Sequence, residues 1–368
     1  MLSFIARLAR RSSPDSLASG SVVGGRWSGD NNMRRMWASG AVIAVVFGYV
    51  TFGHAQQPAA PAPRHAPVTK AQFERWMTEL SNWGRWGKDD QLGALNLITP
   101  EKRRQAMALA KTGTVVSLER KIVPSKAPED TRADGKPHGV AYFDIRFKTF
   151  PPGDPRGNDG FSSDIQESHV HGGFTHLDAL CHESVAGKLH NGFALDTVSQ
   201  EIGCTRLGLE NLKEGIVTRG ILIDMTRLKS PATQAAHQPG APVYVEDVEA
   251  WEKQTGLRVS SGDAMFVYNP GRQGAEATRP AGFDLSVVPW MKARGVAVTS
   301  NVMAIAEDRH ADHKLVLVTL GTYLLDGVLL DGLAETAARL NRWEFMLVVA
   351  PLQVPGSTGS IVNPLAMF

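Results

Sequence analysis

The sequence predicts an α/β protein with a mixed β-sheet or barrel core and peripheral helices. Two observations carry that expectation. Short apolar runs bounded by polar residues or glycine recur through the second half of the chain, at 220–225, 263–268, 296–300, 315–320 and 345–350. Helical patterns separate some of them, at 245–255 and 329–340. Short buried strands mixed with separated helices are the pattern of this class. The composition agrees: 368 residues, 43% hydrophobic, 21% charged, net charge +2. This is an ordinary globular balance, too close to neutral to suggest a nucleic acid or an acidic membrane as partner. No internal repeat is visible.

Taken in order, residues 71–80 read as a helix and 81–96 as a loop rich in glycine and tryptophan. Thr99 is placed to cap a helix with Pro100 at its first position, running to about 111. Residues 115–118 form a short strand, 124–139 an aperiodic loop, 141–147 an alternating strand and 151–163 another loop. The run at 220–225 is a buried strand ending on a polar residue. The helix at 245–255 carries Glu246 and Asp247 early, where the helix dipole favours acids. The runs at 263–268, 296–300 and 315–320 are strands, 329–340 a helix, and 345–350 the last strand before Pro351.

The N-terminus reads differently. Arg34 and Arg35 precede an apolar stretch at 41–52, and Gly53-His54-Ala55 resembles a small-residue cleavage site. This is the layout of an export signal, too short to span a bilayer of roughly 30 Å as a helix. Residues 1–55 are therefore expected to be an extension with an export signal, 56–70 a Pro/Ala-rich linker, and 71–368 one domain. A periplasmic destination follows, with an uncleaved anchor as the alternative. The two cysteines, Cys181 and Cys204, are expected to be small buried thiols rather than a disulfide.

The densest chemistry lies at 169–182, where four of the chain's 11 histidines fall within fourteen residues. His176, Asp178 and His182 are separated by even numbers, so in an extended strand they share a face. Imidazole and carboxylate are natural ligands for a divalent metal such as zinc or manganese. A further imidazole beside them can move protons near neutral pH. Gly172 and Gly173 permit a bulge or a close approach next to such a site. Trp83 and Trp86, in a glycine-bounded loop, are candidates for a flat wall against a planar substrate, although tryptophans so placed most often pack into a core. The segment 356–360 lacks the lysine and context of a phosphate loop and reads as a tight turn near the site. No Gly-x-Ser-x-Gly elbow is present.

Four segments together resemble the cyclase family of metal-dependent hydrolases, which includes bacterial kynurenine formamidase and isatin hydrolase. They are 86–96, 175–182 extended by Asn191-Gly192, 313–326, and 350–364. The likeness covers residues from about 83 to 368 and is nearest the long, tryptophan-containing branch. It implies a swivelling β/β/α fold and a homo-oligomer. It also implies that His176 and Asp178 bind metal while His182 shuttles protons. Where the family has a histidine four residues before His176, this chain has Gly172, and Leu180 replaces a proline. His171 is the expected substitute ligand, brought round by a bulge at Gly172-Gly173, with His169 as the alternative. His313 and Asp326 match the residues that complete a second metal position, with aspartate where glutamate is usual. The expected activity is hydrolysis of a C–N or C–O bond in a small carbonyl compound (a cyclic amide, lactone or formamide) with one or two Zn2+ or Mn2+ ions. The alternative is an exported metal- or ligand-binding protein without turnover.

Overall fold

The computed structural model describes residues 65–124, 142–150, 161–171, 173–229, 241–271 and 282–368, all within one compact unit. The expected export signal, most of the linker, the loop at 125–139 and Gly172 lie outside the described residues.

Helix α1 (Lys70–Glu79) opens the unit, its N-terminus closed by the Thr69 hydroxyl, which accepts from the Gln72 N–H. Thr99 does the same for α2 (Pro100–Met107), accepting from Lys102 N. That helix stops four residues short of the expected end. Strand β1 (Val115–Ser117) follows. Strands β2 (Phe143–Phe150) and β3 (Phe161–Ser168) form a separate antiparallel hairpin, so the stretch read as loop at 151–163 already contains the start of β3. Then come β4 (His176–Asp178), the short pair β5 (Val198–Ser199) and β6 (Gly203–Cys204), and the nine-residue β7 (Ile216–Asp224). Helix α3 (Val245–Thr255) matches its predicted span and ends on Gly256 in the left-handed conformation. Strand β8 (Ala264–Tyr268), α4 (Val288–Arg294) and β9 (Val298–Thr299) lead to α5 (Ala311–His313). The chain ends with β10 (Tyr323–Asp326), α6 (Asp331–Leu340), β11 (Glu344–Val349), β12 (Gly359–Ile361) and β13 (Leu365–Met367).

Nine strands form a curled sheet in the order β1-β13-β11-β7-β8-β9-β10-β4-β12, parallel from β7 to β10 and antiparallel on both flanks. The mixed α/β expectation is therefore met. Strands β7 and β8 are almost wholly buried, as central parallel strands require.

One predicted strand is wrong. Residues Lys314–Leu320 continue α5 as a π-helical turn, with Leu315 to Leu320 all buried. A short apolar run buried on every side carries no periodicity, so strand and helix look alike in sequence. The cysteine expectation is also corrected: Cys181 and Cys204 form a disulfide, tying the turn after β4 to β6. Sequence separation alone could not show that the fold brings them together.

Candidate metal centre

The sheet register assembles the site. Strand β4 runs antiparallel to β10 with His176 opposite Asp326, and antiparallel to β12 with Asp178 opposite Gly359. Directly paired residues share a face. His176, Asp178 and Asp326 therefore converge from two strands, the first pair by the even spacing read in the sequence. His182 joins them differently. The strand ends at Asp178, and a turn closed by the His182 N–H donating to Ala179 O (2.9 Å) swings His182 back. An extended strand carrying all three is thus corrected, although all three do meet.

His171 arrives from the other side. Gly173 has φ of +90°, which bends the chain so that an odd offset can reach the same cluster. Its ring stacks on His182 with centroids 3.7 Å apart and lies over Gly359. A Cβ on Gly359 would sit 2.7 Å from His171 Cε1, so glycine makes room for the ring. His313 comes from the end of α5, where Asp178 Oδ2 and Asp326 Oδ2 each lie 3.6 Å from its Nε2.

Two imidazoles, those of His171 and His176, share a plan, with one nitrogen held outside by a hydrogen bond and the other facing in, while His313 has only a close charged neighbour. His176 Nδ1 donates to Phe174 O at 2.7 Å, a proton assigned from its carbonyl partner, which leaves Nε2 free 3.3 Å from Asp178 Oδ1. His171 Nε2 lies 3.1 Å from Thr358 Oγ1, and its Nδ1 is 3.0 Å from Asp178 Oδ1. His313 Nδ1 is 3.1 Å from Asp312 Oδ1. Thr358, Asp312 and Gly359 were not singled out as site residues. Adjacency to His313 was the signal for Asp312, and the 356–360 turn was the signal for the other two.

Asp178 is the centre of this arrangement. It is 0% exposed, yet neither carboxylate oxygen accepts a hydrogen bond. Imidazole nitrogens lie 3.0–3.6 Å from it, none with the alignment of a hydrogen bond. A buried, unpaired carboxylate is costly unless it is neutralised. Burial would raise its pKa, but the His171 and His176 imidazoles outweigh burial and hold it below the usual carboxylate range. Asp326 goes the other way, pushed up to about 6 by burial and by the charge of Asp178. Burial disfavours charge on His313, but Asp312 and the two site aspartates raise its pKa to about 9. His182 is lowered to about 4, first by burial and then by neighbouring imidazoles, against the pull of Asp178.

Among the described residues, two sets of ligand atoms lie within 4.8 Å of one another: His171, Asp178 and His182, and His176, Asp178 and Asp326. This donor set fits a divalent cation: imidazole nitrogens and carboxylate oxygens, converging, largely buried, with both Asp178 oxygens short of hydrogen bonds. His182 thus stands in one of the candidate ligand sets. His169 belongs to neither; its backbone N–H donates to Tyr142 O. The tryptophans make other contacts. The Trp83 indole N–H donates to Val318 O (2.7 Å) on the π-helical turn, and Trp86 packs on the core beneath the Arg85 guanidinium. The ring contacts of the cluster include neither.

No helix of the described residues is long and apolar enough to cross a membrane. Residues 120–301 match the model of the family described as "Putative cyclase". A crystal structure titled as a novel cyclase is similar over 79% of this chain and 99% of its own, with 26% identity and a TM-score of 0.63. Isatin hydrolase A from Labrenzia aggregata, bound to benzyl benzoate, is 18% identical over 69% of this chain and 93% of its own, with a TM-score of 0.45. Isatin hydrolase A from Ralstonia solanacearum is 18% identical over 69% and 91%, with a TM-score of 0.43. None of the curated proteins compared matches. The matched model takes in one of the four sequence segments, 175–182, and together with the novel-cyclase fold it identifies residues 120–301 as similar to this cyclase family.

Proposed function

We propose that this protein is a metal-dependent hydrolase that cleaves a C–N or C–O bond in a small carbonyl compound, such as a cyclic amide, a lactone or a formamide. The observation that carries this reading is the buried Asp178 carboxylate, without hydrogen-bond donors, at the meeting point of the imidazoles. His176 and Asp178, with His171 as the third ligand, would hold a zinc or manganese ion; His313 and Asp326 would complete a second position. When bound, such an ion acidifies water and polarises a carbonyl. His182, kept neutral by burial, is a proton acceptor at neutral pH and can return the proton to the leaving nitrogen or oxygen. Its stacking on His171 fixes the ring beside the cluster.

His182 also lies within ligand distance of His171 and Asp178, and this favours the second reading, a metal-binding protein without turnover. One substitution separates them. His182→Gln should lower hydrolysis of a cyclic amide or lactone panel by about 10²–10⁴-fold while metal content stays at the wild-type level. Loss of metal instead would make His182 a ligand and remove the proton-transfer role.

We further infer export to an oxidising compartment. The layout of residues 33–55 supports it, and so does the Cys181–Cys204 disulfide, which a reducing cytosol would not sustain. Comparing the N-terminus of the mature protein with Ala55 tests this.

A further inference from the structure

A cleft of about 640 Å3 opens beside the metal centre, at the carboxyl ends of the parallel strands β8, β9 and β10. Ligands of open α/β sheets bind at that end. The cleft and the centre share one wall. Gly327, which lines the cleft, follows Asp326, and Gly173 lines it between His171 and His176.

Arg120 is fixed in this wall by its backbone. Its N–H donates to the Thr175 hydroxyl at 2.8 Å, and that hydroxyl donates to Gly327 O at 2.8 Å. The two hydrogen bonds therefore clamp Arg120 between the residue before His176 and the residue after Asp326. The backbone of Gly327 could not sit there with a side chain, since a Cβ would meet Phe174 O at 2.5 Å. The Arg120 guanidinium has no ion pair or hydrogen bond among the described residues. Asn301, which also lines the cleft, has no side-chain hydrogen bond among the described residues either. The acidic group in the cleft, Asp331, is already engaged, accepting from Tyr268 OH at 3.1 Å. Among the described residues the cleft is lined by a cation and an amide without side-chain partners, Arg120 and Asn301, next to groups that would work on a carbonyl, and this lining suits an anion.

We propose that Arg120, assisted by Asn301, binds a carboxylate carried by the substrate, so that the hydrolase acts on carboxylate-bearing carbonyl compounds in preference to neutral ones. This rests on the hydrolase reading above and names the substrate class of that site. A guanidinium matches a carboxylate in a paired, charge-assisted geometry, which lysine or glutamine at the same place would not reproduce.

Two measurements on the full chain test it. The first is binding of benzoate and benzamide by calorimetry after chelation of metal, so that benzoate cannot bind through an ion. Wild type should bind benzoate more tightly than benzamide. Arg120→Gln should weaken benzoate by about 10- to 100-fold and leave benzamide unchanged. Equal benzoate affinity in both proteins, or no benzoate binding by wild type, overturns the proposal. The second is kcat/KM for 4-formamidobenzoate against formanilide in the metal-loaded enzyme. The preference for the carboxylated probe should vanish in Arg120→Gln through KM, with turnover of formanilide retained. Turnover of both probes with no charge preference in wild type overturns the carboxylate assignment and leaves the hydrolase standing. Charge-selective binding with no turnover of any probe refutes the hydrolase reading and leaves Arg120 as an anion-binding residue.

Discussion

Two aspartates in this protein are equally buried, and their surroundings are opposites. Asp178 and Asp263 are both 0% exposed. Asp263 is wrapped in donors: Lys102 Nζ at 2.8 Å, Arg219 Nε at 3.0 Å and Nη2 at 2.6 Å, Ser260 N at 2.7 Å and Ser260 Oγ at 3.2 Å. Arg219 extends the network to Glu344 at 3.1 Å. Asp178 accepts no hydrogen bond at all, although imidazole nitrogens lie within 3.0–3.6 Å of it. A carboxylate that exists to hold the fold is given its hydrogen bonds by the fold. One that exists to hold something else is left short of them. That contrast separates a structural knot from a candidate binding centre, and burial alone would not have done so.

The comparison can be broken at either end. The largest effect is expected at the knot: Asp263→Ala leaves Lys102 and Arg219 buried without their partner and should cost about 3–5 kcal/mol in urea unfolding. Asp178→Ala should cost the metal-free protein far less, while metal content measured by elemental analysis falls to background. A stability loss at Asp178 as large as that at Asp263 would erase the distinction. The disulfide comes next, since it braces the turn between Asp178 and His182. Replacing Cys181 and Cys204 with serine, or adding reductant, should cost about 2–4 kcal/mol of unfolding free energy.

Gly359→Ala is a finer probe, because the added methyl would collide with the His171 ring and move a ligand without removing it. Metal affinity by chelator competition should fall by about 10- to 100-fold, and Asp312→Asn should act in the same direction by releasing His313. Unchanged affinity in both would mean that these neighbours do not position the ligands.

The smallest and most graded effect is with pH. His313 is raised to about 9. In metal-free protein its contribution to stability is present in full below the unfolded value of 6.5 and is lost as pH rises through 9. Metal binding must displace that proton, so metal affinity should instead rise over the same window. Competition titrations at pH 6.5, 7.5 and 9 should show the increase, and His313→Gln should flatten it.

Much of this site was legible in the residues. His176 and Asp178 on one face and His182 close by follow from spacing and from the family motif, and His171, expected there as a substitute ligand, does lie in the same cluster. The capped helix at Thr99-Pro100 and the helix at Val245–Thr255 were legible because capping and 3.6-residue periodicity are local. The run at Lys314–Leu320 was not, because a segment buried on all sides offers no polar face to count.

What the sequence determined by itself was the inventory: which groups could bind a metal, and that a mixed α/β core would carry them. Their assembly was decided by pairing between distant strands. His176 meets Asp326 only through the β4–β10 register, and the His171 ring finds room beside Asp178 because β12 sets Gly359 opposite that aspartate. The Cys181–Cys204 bond and the two opposite fates of the buried aspartates were decided in the same way. Spacing along a chain fixes neighbours within one strand or helix. Contacts between elements depend on register and packing, which are settled by the burial of the whole core.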